Sequence, residues 1–429
     1  MLLRGTDHTG SSEWCLLRLG EAGPFSGVCR DEGQLQVPGP KSYPIIGSLL
    51  EILSDKDFDK QNIYRYFQKL FRTYGPVVKV EFPGNPPLVL IQRPEDVKAM
   101  YKLTEKSPAR GGMLSLKKAR YNNPYFQKKG GIVVEDGKEW WRVRSKVQVP
   151  LMKPKNLCLY IEEMERISLD LIHKVSRHRD EKGEVTLDFL EELQKWALES
   201  VCFVSINQRI GCFDGVVNKD SKEIRDAAIE LLDAIFTCET RSKLWKIYRT
   251  EPFSKLEKSL EFLTAVCDKV LHETKKKLAS RKDNLSEENL NIMEHLLLSG
   301  GLTHKDIVTF MMDIIPGGTN TTSDNVAVVL YLLAKNPDAQ RKLQEELDRI
   351  LGDGEGPITP KQLAQLSYAR AVLKEANRVM PPMFGPVRLL QEDIQFRGYA
   401  LKKGWSVLFM NGLLGWEESV FPQADKFIP

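Results

Sequence analysis

Met311–Asn325 reads MMDIIPGGTNTTSDN, with the apolar runs IVTF before it and VAVVLYLLA after it. The flanks have the character of one long buried helix. The middle carries Pro316, Gly317, Gly318 and a run of hydroxyl and amide side chains. A proline costs ~3 kcal/mol in a helix interior and each glycine ~1 kcal/mol relative to alanine. Pro316 deprives the Met312 carbonyl of its helical partner, and the glycines remove side-chain bulk beside the gap. The hydroxyls of Thr321 and Thr322 can bond into the opened backbone. Two readings stand side by side. One is a buried helix opened into a local groove with a hydroxyl at its edge; the other is two shorter helices joined by a Pro-Gly-Gly turn.

Helices dominate around this stretch. EEMERISLDLIHKVSRHR, LDFLEELQKWALESVCFVSI, KEIRDAAIELLDAIF and SLEFLTAVCDKVLHETKKKLASR place apolar residues three and four apart. Residues 61–73 and RPEDVKAMYK are helical in pattern, and further helices begin near Thr303 and Asn336. Thr359 before Pro360 is a helix start. VVKVEF and PLVLIQ read as a hairpin, and VRLLQEDIQFRGYALKKGWSVLFM as short strands around turns. VPGPKSYPIIG, residues 37–47, is a rigid lead-in that is neither strand nor helix. The expected fold is mainly α with minor sheet.

The chain has 429 residues, 42% of them apolar and 28% charged, without a fixed repeat or an internal linker. Residues 37–429 are therefore expected as one domain. Residues 1–36 mix Arg4, Arg18 and Arg30 with five acids, a weak targeting region or a poorly structured start. A net charge of +4 and the lack of zinc-finger spacing argue against nucleic acid. No run of 18 apolar residues suggests a membrane span. The seven cysteines form no CxxC pair and read as reduced, mostly buried thiols.

Two further constellations could carry chemistry. Trp140 and Arg144 in KEWWRVRSK lie at i and i+4, both donors suited to a carboxylate; a Trp stacked under an Arg on a surface helix is the bland alternative. Glu375 and Arg378 lie at i and i+3 between AVL and VM, which suggests a partly buried pair that needs further partners. Arg388 follows a Pro-rich turn and could reach the same region.

Together these residues resemble the cytochrome P450 family. GGTNTTS is similar to the oxygen-binding motif of its central helix, KEANR to its ExxR motif and WWRVR to its WxxxR motif. VPGPKSYPIIGSL resembles the proline-rich lead-in, and FPQADKFIP the start of the segment before the haem loop. The details resemble the mitochondrial clan of sterol, vitamin D and ecdysteroid hydroxylases. The resemblance implies a triangular, mainly helical fold holding haem b, with Trp140, Arg144 and Arg388 on the haem propionates. Glu375 and Arg378 would brace the core. Thr321 would hydrogen-bond dioxygen and help deliver protons, while Gly317 and Gly318 leave room for oxygen. Arg370 and Lys374, one turn apart, would dock an acidic, adrenodoxin-like ferredoxin. The implied reaction is hydroxylation of a lipophilic substrate, sterol, ecdysteroid or secosteroid, with O2. Its place would be mitochondrial, with peripheral association at the inner membrane.

Two departures qualify this expectation. The residue before the threonine is usually acidic and here is Asn320, an amide that orders water but cannot relay a proton by ionising. Asp324, three residues after Thr321, could stand in from roughly the same face, against the alternative of a polar contact elsewhere in the core. In addition, no cysteine follows Cys267, and the sequence ends at Phe427-Ile428-Pro429 where the family continues to its axial thiolate. As written, the chain is expected to hold no metal ligand, as a truncated gene model or splice form. The alternative function is then a catalytically inactive isoform that at most binds a ligand or partner.

Overall fold

The tetrapeptides VVKV and LVLI, apolar but for Lys79, pair as antiparallel strands in the computed structural model. It describes residues 30–31, 34–59, 63–105, 108–213, 219–240, 243–280, 290–352 and 356–429. The chain forms two compact units, Met1–Gly111 with Lys374–Pro429, and Gly112–Leu373.

The first unit holds the strands. They are β1 (Arg30–Asp31), β2 (Gln34–Leu35), β3 (Val77–Val80), β4 (Leu88–Ile91), β5 (Val387–Leu389), β6 (Ile394–Phe396), β7 (Tyr399–Leu401) and β8 (Ser406–Phe409). Two four-stranded sheets result, in the orders β1-β2-β7-β6 and β3-β4-β8-β5. In the second sheet β4 runs parallel to β8, with Leu88 opposite Ser406 and Ile91 opposite Phe409. Val77, Val89, Val407 and Phe409 pack with Val97 and Met100 on one face. Val78, Leu90 and Leu408 pack with Tyr66, Phe67 and Leu70 on the other. Both faces are covered, so the strands read as continuous apolar runs and not as alternation.

The proline-rich lead-in lies along β3. Lys79 donates its amide to the Pro38 carbonyl at 2.8 Å, and Ser48 donates to the Glu81 carbonyl at 2.7 Å. A Cβ on Gly39 would collide with the Lys79 carbonyl, and one on Gly47 with that of Glu81. Backbone approach this close admits only glycine. Residues 1–29 and 32–33 of the N-terminal segment lie outside the described residues. Arg30–Asp31 and Gln34–Leu35 are ordered as an antiparallel pair, with Leu35 then opposite Tyr399.

The second unit is helical. Its longest elements are Gly137–Met152, Ile161–Arg177, Phe189–Ile206, Lys219–Thr240, Glu251–Ser280, His304–Lys335 and Pro337–Leu351. Helix His304–Lys335 packs along Phe189–Ile206 and against Glu251–Ser280. Leu198, Cys202, Leu260, Leu263, Cys267, Val308, Met311, Met312 and Ile315 share their core. Burial pushes the Cys267 thiol up to about 12, the behaviour of an inert packing residue. Among the described residues no helix is long and apolar enough to cross a membrane.

His304–Lys335 is one helix of 32 residues, unbroken at Pro316. The two-helix reading is thereby set aside. The hydroxyls of Thr319 and Thr321 turn back onto the carbonyls of Ile315 and Gly317, at 2.7 and 2.8 Å. The helix starts at a capping box in which Thr303 and Asp306 bond reciprocally. Asp306 also takes both ends of the Arg142 guanidinium, at 2.6 and 3.0 Å. Burial alone would raise the Asp306 pKa, but Arg142 and the Thr303 donors outweigh it and hold the carboxyl below the usual range.

The two glycines do different jobs. A Cβ on Gly318 would stand 2.6 Å from Val201 Cγ2, so Gly318 lets helix Phe189–Ile206 approach. A Cβ on Gly317 would meet nothing within 4 Å. Gly318→Ala should therefore cost about 1–3 kcal/mol through overpacking, whereas Gly317→Ala should gain ~0.5–1 kcal/mol from helix propensity. Urea unfolding of the two variants beside the parent checks the opposite signs.

The depressed pKa of Asp306 stabilises the fold fully above the unfolded-state value, and this is lost as pH falls through the folded one. Asp306→Asn should lower stability near pH 7 by ~1.5–3 kcal/mol, the worth of a charged hydrogen bond, and flatten the acid limb. Denaturation measured across that pH range reads both effects.

Candidate active site

Most of the first half of helix His304–Lys335 is core: Met311, Met312, Asp313, Ile315, Thr319 and Ser323 are buried. Gly317, Asn320 and Thr321 are exposed, a strip recurring at three and four residues. The middle of the helix thus presents an open, polar strip beside buried neighbours. The Thr321 hydroxyl donates to the Gly317 carbonyl, which engages its proton within the helix and leaves oxygen lone pairs to accept. Asn320 adds an exposed amide, and Asp324, half-buried, follows one turn later. The two glycines differ in their surroundings: Gly317 faces open space, whereas Gly318 lies against Val201.

Sequence reasoning passed over the residue one turn before Gly317. Asp313 is paired with Arg120 at 2.6 Å, with side-chain exposures of 3% and 1%. Arg120 also donates to the Gly130 carbonyl, and the Val133 amide reaches Asp313 Oδ2 at 3.3 Å. The pair ties helix Leu114–Asn122 and the segment after it to the long helix. A lone aspartate inside IVTFMMDII was the available signal, since a buried charge requires a partner. Arg120, 193 residues earlier, could not be picked out by pattern.

Trp140 and Arg144 lie one turn apart on helix Gly137–Met152, both half-buried. The Arg144 guanidinium makes no hydrogen bond or ion pair among the described residues. Arg388, on β5 in the other unit, stacks over the rings of Tyr101 and Phe409, 5.4 and 5.8 Å from their centroids. Its Nη1 donates to the Val387 carbonyl, but its buried Nε finds no acceptor. A buried guanidinium N–H without an acceptor, as at Arg388 Nε, is costly unless a ligand meets it. Arg144 and Arg388 are donors of the kind a propionate takes.

Glu375 and Arg378 are in direct contact near the end of helix Ser367–Val379. Arg378 Nε and Nη2 grip the two oxygens of Glu375 at 2.8 and 2.7 Å. Nη1 donates to the carbonyls of Gly415 and Ala424, and Nη2 also to that of Lys426. The Ile428 amide closes onto Glu375 Oε1 at 2.9 Å. Burial would raise the Glu375 pKa; Arg378 and that amide reverse it and hold it below the usual range. At the other end of this helix, Glu346 accepts from the amides of Tyr368 and Ala369 and from the Ser367 hydroxyl. Arg370 is exposed and donates to the carbonyls of Leu363 and Ala364, finishing the helix before it. Lys374 is exposed and has no ion-pair partner among the described residues.

Comparison with known proteins identifies the family and the fold. The sequence model of the family Cytochrome P450 matches residues 37–429. The chain is 31% identical to "Probable cytochrome P450 49a1" of Drosophila melanogaster over 92% of its own length and 68% of that protein's. It is 30% identical to "Probable cytochrome P450 301a1, mitochondrial" of the same species, over 92% and 72%. "Cytochrome P450 12b1, mitochondrial" of Drosophila acanthoptera is 28% identical over 92% and 73%. Among solved structures, "Retinoic acid bound cyanobacterial CYP120A1" shares the fold with a TM-score of 0.69 at 18% identity, covering 93% of this chain and 82% of that one. Family and fold imply haem and monooxygenase activity. Nothing in these relatives favours the inactive-isoform alternative. The chain belongs to the cytochrome P450 family, among its mitochondrial members.

Proposed function

We propose that this protein hydroxylates a lipophilic substrate of sterol, ecdysteroid or secosteroid type, using O2 and electrons from an adrenodoxin-like ferredoxin. The observation that carries the reading is the open strip of Gly317, Asn320 and Thr321 beside the buried Met311, Met312, Asp313, Ile315 and Thr319 of the same helix. Bound haem b would supply activation of O2 for insertion of one oxygen atom into a C–H bond. Trp140 and Arg144 would hold one propionate, and Arg388 would reach a propionate from β5. Among the described residues neither guanidinium has a carboxylate partner, which leaves their charge for a ligand.

Thr321 is the proton-handling residue in this scheme. Its hydroxyl bonds to the Gly317 carbonyl, which fixes the side chain in one position. Rotation about χ1 would free its proton for an oxygen at the strip, while Asn320 orders the water that resupplies it. Gly317 keeps the space beside Thr321 clear. Glu375 and Arg378 do no chemistry; they hold the C-terminal segment.

Lipophilic supply fits a second surface. Leu244, Ile247 and Tyr248 are exposed, Ile247 at 84%, and alternate with Lys243, Lys246 and Arg249. Apolar side chains among cations suit peripheral contact with an anionic membrane face, here the inner mitochondrial membrane.

Thr321→Ala should cut product formed per O2 consumed several-fold, up to the ~10²-fold that a positioned proton donor is worth. Reconstituted turnover with O2 uptake and product measured together tests this; unchanged coupling would remove the role given to Thr321.

Lys374 is the better ferredoxin contact of the proposed pair, because Arg370 already serves two carbonyls. Lys374→Glu should raise the KM for ferredoxin several-fold and reduce its salt dependence, with substrate binding unaltered. Equal ferredoxin kinetics in the variant would reject docking at this helix face.

A further inference from the structure

We propose that Asp268, His272 and His304 form a zinc-binding site that clamps helix Glu251–Ser280 to the first turn of helix His304–Lys335. The site is independent of the haem reading.

The helix spacing makes the first half of the site. Asp268 and His272 are at i and i+4, so their side chains project from one face. His304, the first residue of the long helix, supplies the third group from the neighbouring element. One ligand atom from each residue lies within 4.8 Å of the others. His304 Nε2 is 3.0 Å from Asp268 Oδ1, and His272 Nδ1 is 3.2 Å from Asp268 Oδ2. A tetrahedral zinc with bonds of about 2.0–2.1 Å holds neighbouring ligand atoms about 3.3 Å apart. The two contacts end on different oxygens of Asp268, so a single ligating oxygen needs the carboxylate to turn in addition to shifts of a few tenths of an ångström. Two imidazoles and one carboxylate, with a position left for water, is a donor set that zinc takes.

The surroundings support the carboxylate. Tyr125 donates its hydroxyl to Asp268 Oδ1 at 2.5 Å, a hydrogen bond of the type that orients ligating carboxylates. His272 is exposed and His304 half-buried, with ring centroids 4.3 Å apart. An ion can thus enter from solvent. His272 Nδ1 also lies 2.9 Å from the backbone carbonyl of its own helix neighbour Asp268. Binding the metal through Nδ1 gives up that hydrogen bond and places the ring proton on Nε2. The competing account is a metal-free staple, in which the same three residues only hydrogen-bond the two helices together.

Titration of the full-length protein, stripped of adventitious metal, with Zn²⁺ distinguishes these accounts. Calorimetry should find one saturable site removed by His272→Ala and by His304→Ala, each weakening binding about tenfold or more. Co²⁺ in place of Zn²⁺ should give the visible bands of a four-coordinate centre in the parent and lose them in both variants. His178→Ala, just past the end of helix Ile161–Arg177, should bind as the parent does. Zn²⁺ should also raise the thermal midpoint of the parent by mass action and leave that of His272→Ala unmoved. His272 is exposed, so that variant tests the idea even where His304→Ala folds poorly. No saturable binding, or binding that survives both substitutions, overturns the site and leaves the staple.

Discussion

Arg378 has five N–H donors, and every one is used: two on Glu375 and three on the carbonyls of Gly415, Ala424 and Lys426. Glu375 in turn receives the Ile428 amide. A carboxylate and a guanidinium this shielded are tolerable only when fully satisfied, and removing one partner of such a pair costs about 3–5 kcal/mol. The consequence is positional. Three loop carbonyls from the last fifteen residues are fixed against one side chain on a helix, so the path of the C-terminal segment follows from one guanidinium. Trp416, donating its indole N–H to the Val379 carbonyl at 2.8 Å, adds a second tie.

The long helix of the second unit is governed by a similar rule. It is held at Asp306 by Arg142, at Asp313 by Arg120 and at Gly318 by the close approach of Val201. These attachments occupy its buried faces and leave Gly317, Asn320 and Thr321 uncovered. The helix tolerates Pro316 because packing along Phe189–Ile206 and Glu251–Ser280 supplies most of its stability, as tertiary burial does for helices generally. Its polar letters then serve two purposes that the sequence runs together: Thr319 and Ser323 are buried and bond back to the helix, while Thr321 sits on the open strip.

Much was legible beforehand. Periodicity gave the helices and hairpin, the Thr359-Pro360 start became a capping box, and the family motifs fell in order from the lead-in to FPQADKFIP. The bidentate Glu375–Arg378 contact could be anticipated from its i, i+3 spacing. The partners of that pair could not, because carbonyls carry no sequence signature. Arg120 was hidden for the related reason that an arginine in LSLKKARYN looks like any solvated cation. The zinc candidate was equally invisible, since His304 opens a helix far from Asp268 in sequence and only packing brings the rings together.

What the sequence determined by itself is the set of local preferences: which stretches are helical, where caps and close-packed glycines stand, and which ordered motifs mark a P450. Those are encoded in residues within a turn or two of each other. The tertiary structure alone decided that Pro316 leaves the helix whole, that Gly318 packs and Gly317 opens, and that Asp313 is neutralised by Arg120. Each depends on an atom brought from a distant segment, and the energy that selects it exists only once that segment has packed.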